Sequence, residues 1–380
     1  MARPAMLPAA AVALCAAVLA LAALDGGVRA QQLSPGYYDD SCPHVYDTVR
    51  RVIQEARTGD PRILASLLRL HFHDCFASGC DGSLLLDETL TMRSEKAADP
   101  NNGSVRGFPV VNDIKAALED ACPGVVSCAD ILALAAEVSV ELAGGPYWRV
   151  MLGRRDSKAA DFDGAQNLPD PKESLKDLKK KFADVGLDDT DFVALQGIFS
   201  TGEHDSICAV VTATSPRAAR SRGVLNSEND VPSLHLAGAH TIGRAQCQSI
   251  QDRLYNFSST EQPDPTLDHG YLAALRQRCP AAAPGDDGTA LNDLDPATPD
   301  TFDNSYYANI QCNRGLLRSD QAMLSAPEEG AESTAPIVGR FAHSQAEFFQ
   351  SFATAMIKMG NIAPLTGSMG EVRRDCRVVN

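Results

Sequence analysis

A cation, an aromatic ring and an imidazole stand close together at Arg69, Phe72 and His73. On a helix the i, i+3, i+4 spacing puts all three on one face. A neutral imidazole beside a fixed guanidinium is suited to moving a proton while the neighbouring cation holds a developing negative charge. Directly behind come Asp74, Asp81 and Ser83, oxygen ligands suited to a hard cation, with Gly79 and Gly82 to bend the loop. Cys75 and Cys80 can close that loop as a disulfide. Two plainer readings compete. A histidine on an apolar face is often only a satisfied core residue. His71 and His73 also invite a zinc hydrolase, but two residues apart on a helix their rings diverge.

The elements that must position these groups are helical. The run Ile63–His73, I-L-A-S-L-L-R-L-H-F-H, is dense in helix formers and lacks Gly and Pro. Helical patterns also cover 46–57, 107–121, 128–143, 175–185, 191–196, 240–254, 270–278, 304–309 and 344–359. Strand signals are short, at 148–152 and near 372–377. The chain reads as all-α with minor β and has no solenoid repeat.

R-L-H-F-H-D-C-F-A-S-G-C-D-G-S resembles the distal haem segment of the secretory (class III) plant peroxidases. V-S-C-A-D-I-L-A-L-A-A, G-G-P-Y-W-R-V-M-L-G-R-R-D-S, A-G-A-H-T-I-G-R-A-Q-C and G-L-L-R-S-D-Q extend the likeness over nearly all of the chain. The resemblance implies two helical domains, 31–165 distal and 166–380 proximal, clasping one haem b, with a C-terminal segment returning to the distal domain. It implies His73 and Arg69 as the peroxide-cleaving pair. Asn101 accepts a hydrogen bond from His73, and Glu95 steadies Asn101. His240 is the haem ligand and Asp320 its carboxylate partner. Pro169 lies at the substrate channel, with Asp170 beside it. Two calcium sites follow, one from Asp74, Ala77, Gly79, Asp81 and Ser83, the other from Thr241, Asp295, Thr298, Thr301 and Asp303. Asp130 serves structure.

Residues 1–30 read as a signal peptide: Arg3, an apolar run from Ala9 to Leu24, then Val28-Arg29-Ala30. The apolar run is short for a membrane span, and no other stretch is long and apolar enough. Ten of the 11 cysteines lie beyond that leader, a disulfide framework for an oxidising compartment. The resemblance implies Cys42–Cys122, Cys75–Cys80, Cys128–Cys376 and Cys247–Cys279, and leaves Cys208 and Cys312 over. Asn102 and Asn256 head glycosylation sequons. The formal net charge is −15, which argues against non-specific nucleic-acid binding. The chain stops shortly after Cys376 without the extension of vacuolar relatives, so the expected location is the apoplast or cell wall.

The resemblance therefore implies a secreted, monomeric peroxidase. It reduces H2O2 to water while small phenolic donors reduce a ferryl-porphyrin radical in one-electron steps. The alternative is a haem-binding protein of the same fold with impaired turnover. One block motivates that alternative. The family runs A-L-Q-G-A-H-T-I-G without a break; here A-L-Q-G ends at Gly197 and A-H-T-I-G resumes at Ala239. Residues 198–238 between them have no clear period. A surface insertion is the plain explanation, since longer loops cost only slowly more. We favour an intron translated in frame. Gly197-Ile198 can be encoded with a GT donor and Ala237-Gly238 with an AG acceptor, and excision restores the family's junction. Sequencing the transcript, or finding the tryptic peptide that spans Gln196 to His240, is expected to show the shorter form. Tissue protein that uniformly contains 198–238 would refute it.

Overall fold

The computed structural model describes residues 33–196, 240–281, 288–325 and 329–380. Among these residues the chain is mostly helical. In order come α1 (Val45–Gly59), α2 (Ile63–Ala77), α3 (Phe108–Ala121), α4 (Cys128–Leu142), α5 (Phe162–Gln166), α6 (Leu175–Asp184) and α7 (Asp189–Gln196). After β1 (Arg244–Gln246) follow α8 (Gln251–Tyr255), α9 (His269–Arg278), β2 (Leu291–Asp293), α10 (Ser305–Gln311), α11 (Arg318–Ala322), α12 (Ala331–His343) and α13 (Gln345–Met359).

Helix starts are marked in the sequence. The hydroxyls of Ser127, Ser174 and Ser344 accept from the backbone N–H groups of Asp130, Asp177 and Glu347, capping α4, α6 and α13. The helices α2 and α4 are buried on nearly every face and pack against each other. That burial is why α2 carries almost no polar stripe: it is a core helix, and its few polar residues are there to act. A large apolar core joins the helices of the first half to α7, α10, α12 and α13. A smaller one gathers Ala245, Ile250, Leu254, Leu272, Leu275 and Leu316.

Three expectations are corrected. The segments 148–152 and 372–377 form no strands; Leu152 makes an isolated bridge with Ser34, and Glu371, just before the second segment, makes one with Asp156. The one sheet among the described residues pairs β1 with β2 antiparallel, Arg244 opposite Asp293. Residues 240–254 are not one helix either. Gly243 turns the backbone at φ 106°, β1 follows, and only Gln251–Tyr255 is α-helical. The pairing with β2 and the Cys247–Cys279 bridge override the helical period there. Helices α5, α11 and α12 went unseen in the sequence, the first two for shortness and α12 because Pro336 lies inside it.

All four implied disulfides are present: Cys42–Cys122, Cys75–Cys80, Cys128–Cys376 and Cys247–Cys279. Cys312 is not left over, for it too is disulfide-bonded. Residues 198–238, with Cys208, lie outside the described residues. Their flanks meet: the His240 N–H donates to the Gln196 carbonyl at 2.9 Å.

The C-terminal segment is tied back to the first half by buried ions. Asp130 is fully buried and accepts from Tyr38 Oη (2.8 Å), the Gly153 N–H (2.7 Å) and Arg154 Nη1 (2.8 Å). The Arg154 guanidinium also donates to the Gly360 carbonyl beyond α13, at 2.6 Å from Nη2. Asp156 accepts from the Arg373 N–H at 2.8 Å, and Arg373 Nη2 donates to the Gly82 carbonyl at 2.5 Å. Removing one partner leaves the other charge buried and unpaired. Asp130→Ala is expected to cost about 3–5 kcal/mol. The double replacement Asp130→Leu with Arg154→Met is expected to cost clearly less. Denaturant unfolding of the three proteins checks this; equal losses would show that pairing is not what Asp130 provides.

Candidate active site

Arg69 and His73 sit one turn apart on α2, as the spacing predicts, and their side chains meet. Arg69 Nε donates to His73 Nε2 at 3.0 Å. On the other side of the ring, His73 Nδ1 lies 2.6 Å from Asn101 Oδ1. An amide oxygen only accepts, so Nδ1 carries the hydrogen and Nε2 keeps its lone pair. The partners thus assign a neutral imidazole with its basic nitrogen facing the cation.

Asn101 is itself held. Its Nδ2 donates to the backbone carbonyl of Glu95 at 2.8 Å, not to the carboxylate. The Glu95 carboxylate takes the Asp161 N–H at Oε1, 2.8 Å away, while Oε2 is buried without a partner. Burial, together with Asp81 and Asp161 nearby, pushes this carboxyl up to about 7. Glu95 therefore fixes Asn101 through the short 3-10 turn it occupies, Glu95–Ala97, capped by the Ser94 hydroxyl.

One distal residue was missed. Ser104 accepts twice from Arg69, at its carbonyl from Nη1 (2.8 Å) and at Oγ from Nη2 (2.9 Å). The guanidinium has no carboxylate partner in that set, and burial pulls it down to about 9. It stays charged at neutral pH and faces outward contacts that carry no opposing charge. The sequence marks Ser104 only as the third residue of the Asn102-Gly103-Ser104 sequon, and not as a partner of Arg69.

The zinc reading fails on geometry. His71 points to the other side of α2, with Nδ1 3.6 Å from Cys75 Sγ, and burial and Arg154 hold it down at about 3. His71, Cys75 and Cys80 cluster closely, but both sulfurs are spent in the Cys75–Cys80 bridge.

On the proximal side, His240 Nδ1 lies 2.6 Å from Asp320 Oδ1. Asp320 is fully buried at the start of α11 and also accepts from Tyr306 Oη (2.7 Å) and the Leu317 N–H (2.8 Å). Tyr306 was not foreseen; it is the first ring of S-Y-Y in α10. His240 Nε2 is buried and has no hydrogen-bond partner. An imidazole with one nitrogen fixed by a carboxylate and the other orphaned in the interior has the form of a metal ligand.

Parts of the two expected calcium-ligand sets lie together. In the first, Asp74 takes the Gly82 N–H at 3.0 Å and Asp81 the Ser83 N–H at 3.0 Å. Ser83 Oγ is buried without a partner. Gly79 (φ 130°) and Gly82 (φ 71°) turn the loop; a Cβ on Gly79 would stand 2.6 Å from the Ala363 carbonyl oxygen. Burial and the charges of Asp81 and Glu95 push the Asp74 carboxyl far up. In the second, Thr298 Oγ1 bridges Asp295 Oδ2 (3.2 Å) and Asp303 Oδ1 (3.0 Å), and Thr241 Oγ1 donates to the Asp303 carbonyl at 2.6 Å. Burial, with Asp303 adding to it, raises Asp295 to about 6. Thr301 is exposed and its N–H donates to the Thr298 carbonyl at 3.1 Å, so it could serve only by its backbone. Buried carboxylates grouped with hydroxyl oxygens are a donor set that fits a hard divalent cation.

Pro169 lines an open cavity of about 480 Å³ with Phe76, Asn167, Glu173, Lys181 and Val185. Asp170 is half-buried beside it.

The comparisons with known proteins agree with this geometry. The family model for peroxidases matches residues 45–344. Peroxidase 15 of Ipomoea batatas is 50% identical over 351 residues, covering 92% of this chain and 93% of that protein. Peroxidase 54 of Arabidopsis thaliana is 47% identical over 355 residues, 93% of this chain and 86% of that protein. Peroxidase C2 of Armoracia rusticana is 47% identical over 351 residues, 92% and 88% respectively. On the extent of these matches, the chain belongs to the peroxidase family, in its secretory plant (class III) branch.

Proposed function

We propose that this peroxidase is secreted, holds one haem b on His240 and two calcium ions in the cradles above, acts as a monomer, and oxidises phenolic donors. The orphaned Nε2 of His240 carries the reading of the cofactor site: a buried imidazole nitrogen needs a partner, and the Asp320 carboxylate on its other nitrogen makes it a stronger donor to iron. When bound, the haem supplies the redox centre that takes two electrons from the donors and passes them to peroxide.

The chain's own residues handle the protons. Peroxide enters between Arg69 Nε and His73 Nε2, which are 3.0 Å apart, and replaces the hydrogen bond between them. His73 Nε2 accepts the proton from the near oxygen. It then returns that proton to the far oxygen, which leaves as water. Arg69 stays in place, held by Ser104, and balances the negative charge as the O–O bond opens. Asn101 keeps Nδ1 occupied throughout, so only Nε2 can shuttle. Donors approach along the side where Pro169 and Asp170 stand. The acid there disfavours anionic phenols weakly, because the rim is wet.

Secretion rests on the leader-like residues 1–30 and the disulfide framework. No helix among the described residues is long and apolar enough to cross a membrane.

His73→Ala is expected to slow the reaction with peroxide by roughly 10²–10⁴-fold while haem stays bound. Stopped-flow spectra of the variant check this, and a near-normal rate would remove His73 from its role. Calcium is expected in metal analysis of active, untreated protein. A cation at a hundred times its Kd adds about 2.7 kcal/mol of stability, so chelation should lower both the melting temperature and the activity. Active protein that contains no calcium would end that reading of the acidic loops.

A further inference from the structure

From the proximal histidine a run of rings leads away through the core. Between ring centres, His240 meets Tyr306 at 5.9 Å and Tyr306 meets Tyr307 at 4.8 Å. Tyr307 meets Phe348 at 5.5 Å, Phe348 meets Phe352 at 5.9 Å, and Phe352 meets Trp148 at 5.8 Å. The four rings from Tyr306 to Phe352 are fully buried, and Trp148 is 6% exposed. Trp148 is the chain's one tryptophan. There the run reaches water. Trp148, its neighbour Tyr147 and Tyr46 line a surface cavity of about 330 Å³, with Pro43 and Val150 among its walls. Tyr147 is 61% exposed.

Packing alone is reason enough for core rings to touch. It does not place the most easily oxidised side chain where the run meets an aromatic-lined cavity. The proton chemistry above uses neither Trp148 nor this cavity, and the Pro169 cavity shares no lining residue with it.

We propose that Trp148 is a second oxidation site, at which phenols seated in this cavity give up electrons that pass inward along the rings toward the centre held by His240. The inference rests on the haem peroxidase reading. Phenylalanine is too hard to oxidise to hold a charge in passing, so Phe348 and Phe352 act as packed medium between Trp148 and the tyrosines. The tyrosines close the distance to His240, Tyr307 against Tyr306 at 4.8 Å and Tyr306 against the His240 ring at 5.9 Å between centres.

The balance is simple. Trp148 loses one electron inward and regains one from a phenol, whose O–H proton goes to solvent. Two phenols supply two electrons and two protons. With one H2O2 these give two phenoxyl radicals and two waters. The site suits phenols attached to a polymer, which reach a surface cavity more readily than an inner channel.

The test uses the haem-loaded full chain, given peroxide without donor in the presence of a nitroso spin trap. The Soret band is followed, and trap adducts are mapped by mass spectrometry. The expected result is a Soret change together with an adduct on the peptide ending Tyr147-Trp148-Arg149. That adduct should fall several-fold in Tyr307→Phe, which removes an oxidisable ring from the run but leaves the cavity. In Trp148→Phe, oxidation of a polymer-coupled phenol should fall several-fold more than oxidation of the same phenol free in solution. A normal Soret change with no adduct at Tyr147 or Trp148 overturns the inference. So does an adduct yield unchanged in Tyr307→Phe. A Soret band that does not respond to peroxide overturns the haem reading, and this inference with it.

Discussion

Two hydrogen bonds of the same length set the chemistry of this molecule. His73 and His240 are each tied at Nδ1 by an oxygen 2.6 Å away, and each is buried. What differs is the oxygen. Asn101 offers a neutral amide, which fixes the tautomer without making the ring strongly basic. Asp320 offers a charge, which gives its imidazole anionic character and makes it a firm ligand. On the function proposed above, the choice of a single acceptor fits one imidazole to carry a proton and the other to bind a metal. Exchanging the acceptors would spoil both, since a carboxylate behind His73 would favour its protonated form before peroxide arrives.

Those acceptors must be rigid, and much of the remaining structure serves that end. Asp320 is locked by Tyr306 and the Leu317 N–H, and Asn101 by the Glu95 carbonyl. The acidic loops lie next to these supports in sequence: Asp74 follows His73, and Thr241 follows His240. A cation in either loop therefore holds the residue adjacent to an active-site histidine. It also relieves carboxylates that burial and mutual repulsion push toward their neutral forms, as at Asp74 and Asp295. Stability and catalytic geometry are coupled through the same few residues, so loosening one cradle loosens one imidazole.

Much of this was legible in the sequence, and the limits have physical reasons. The α2 helix and its Arg69–His73 face follow from local spacing, which tertiary packing did not alter. The four disulfides and the calcium ligand sets came from the family pattern, because spacing alone permits many pairings. The failures are non-local. Residues 240–254 have a helical period, but β1 answers to β2 some fifty positions on, and a long-range ladder beats a local preference. Ser104 and Tyr306 act through contacts with Arg69 and Asp320 that no short motif encodes. Glu95 was paired with Asn101 by pattern, and the bond between them comes from the Glu95 backbone, which carries no side-chain signature.

The residue that anchors the proximal side is not held by a helix through its own backbone. It sits in a turn whose N–H donates to Gln196, the last residue of α7, and whose exit is set by Gly243 and β1. That bond between Gln196 and His240 closes the frame at the point where the family's chain is continuous. In the shorter form the two residues would be three apart, and the same bond would be an ordinary turn bond. In the longer form it closes a loop instead, at an entropic cost that grows only with the logarithm of its length. The placement of His240 is then decided by Asp320, Tyr306 and the Gln196 carbonyl, none of which belongs to residues 198–238. The contacts of this histidine among the described residues are therefore made by parts of the chain outside residues 198–238, and they are available with or without that block.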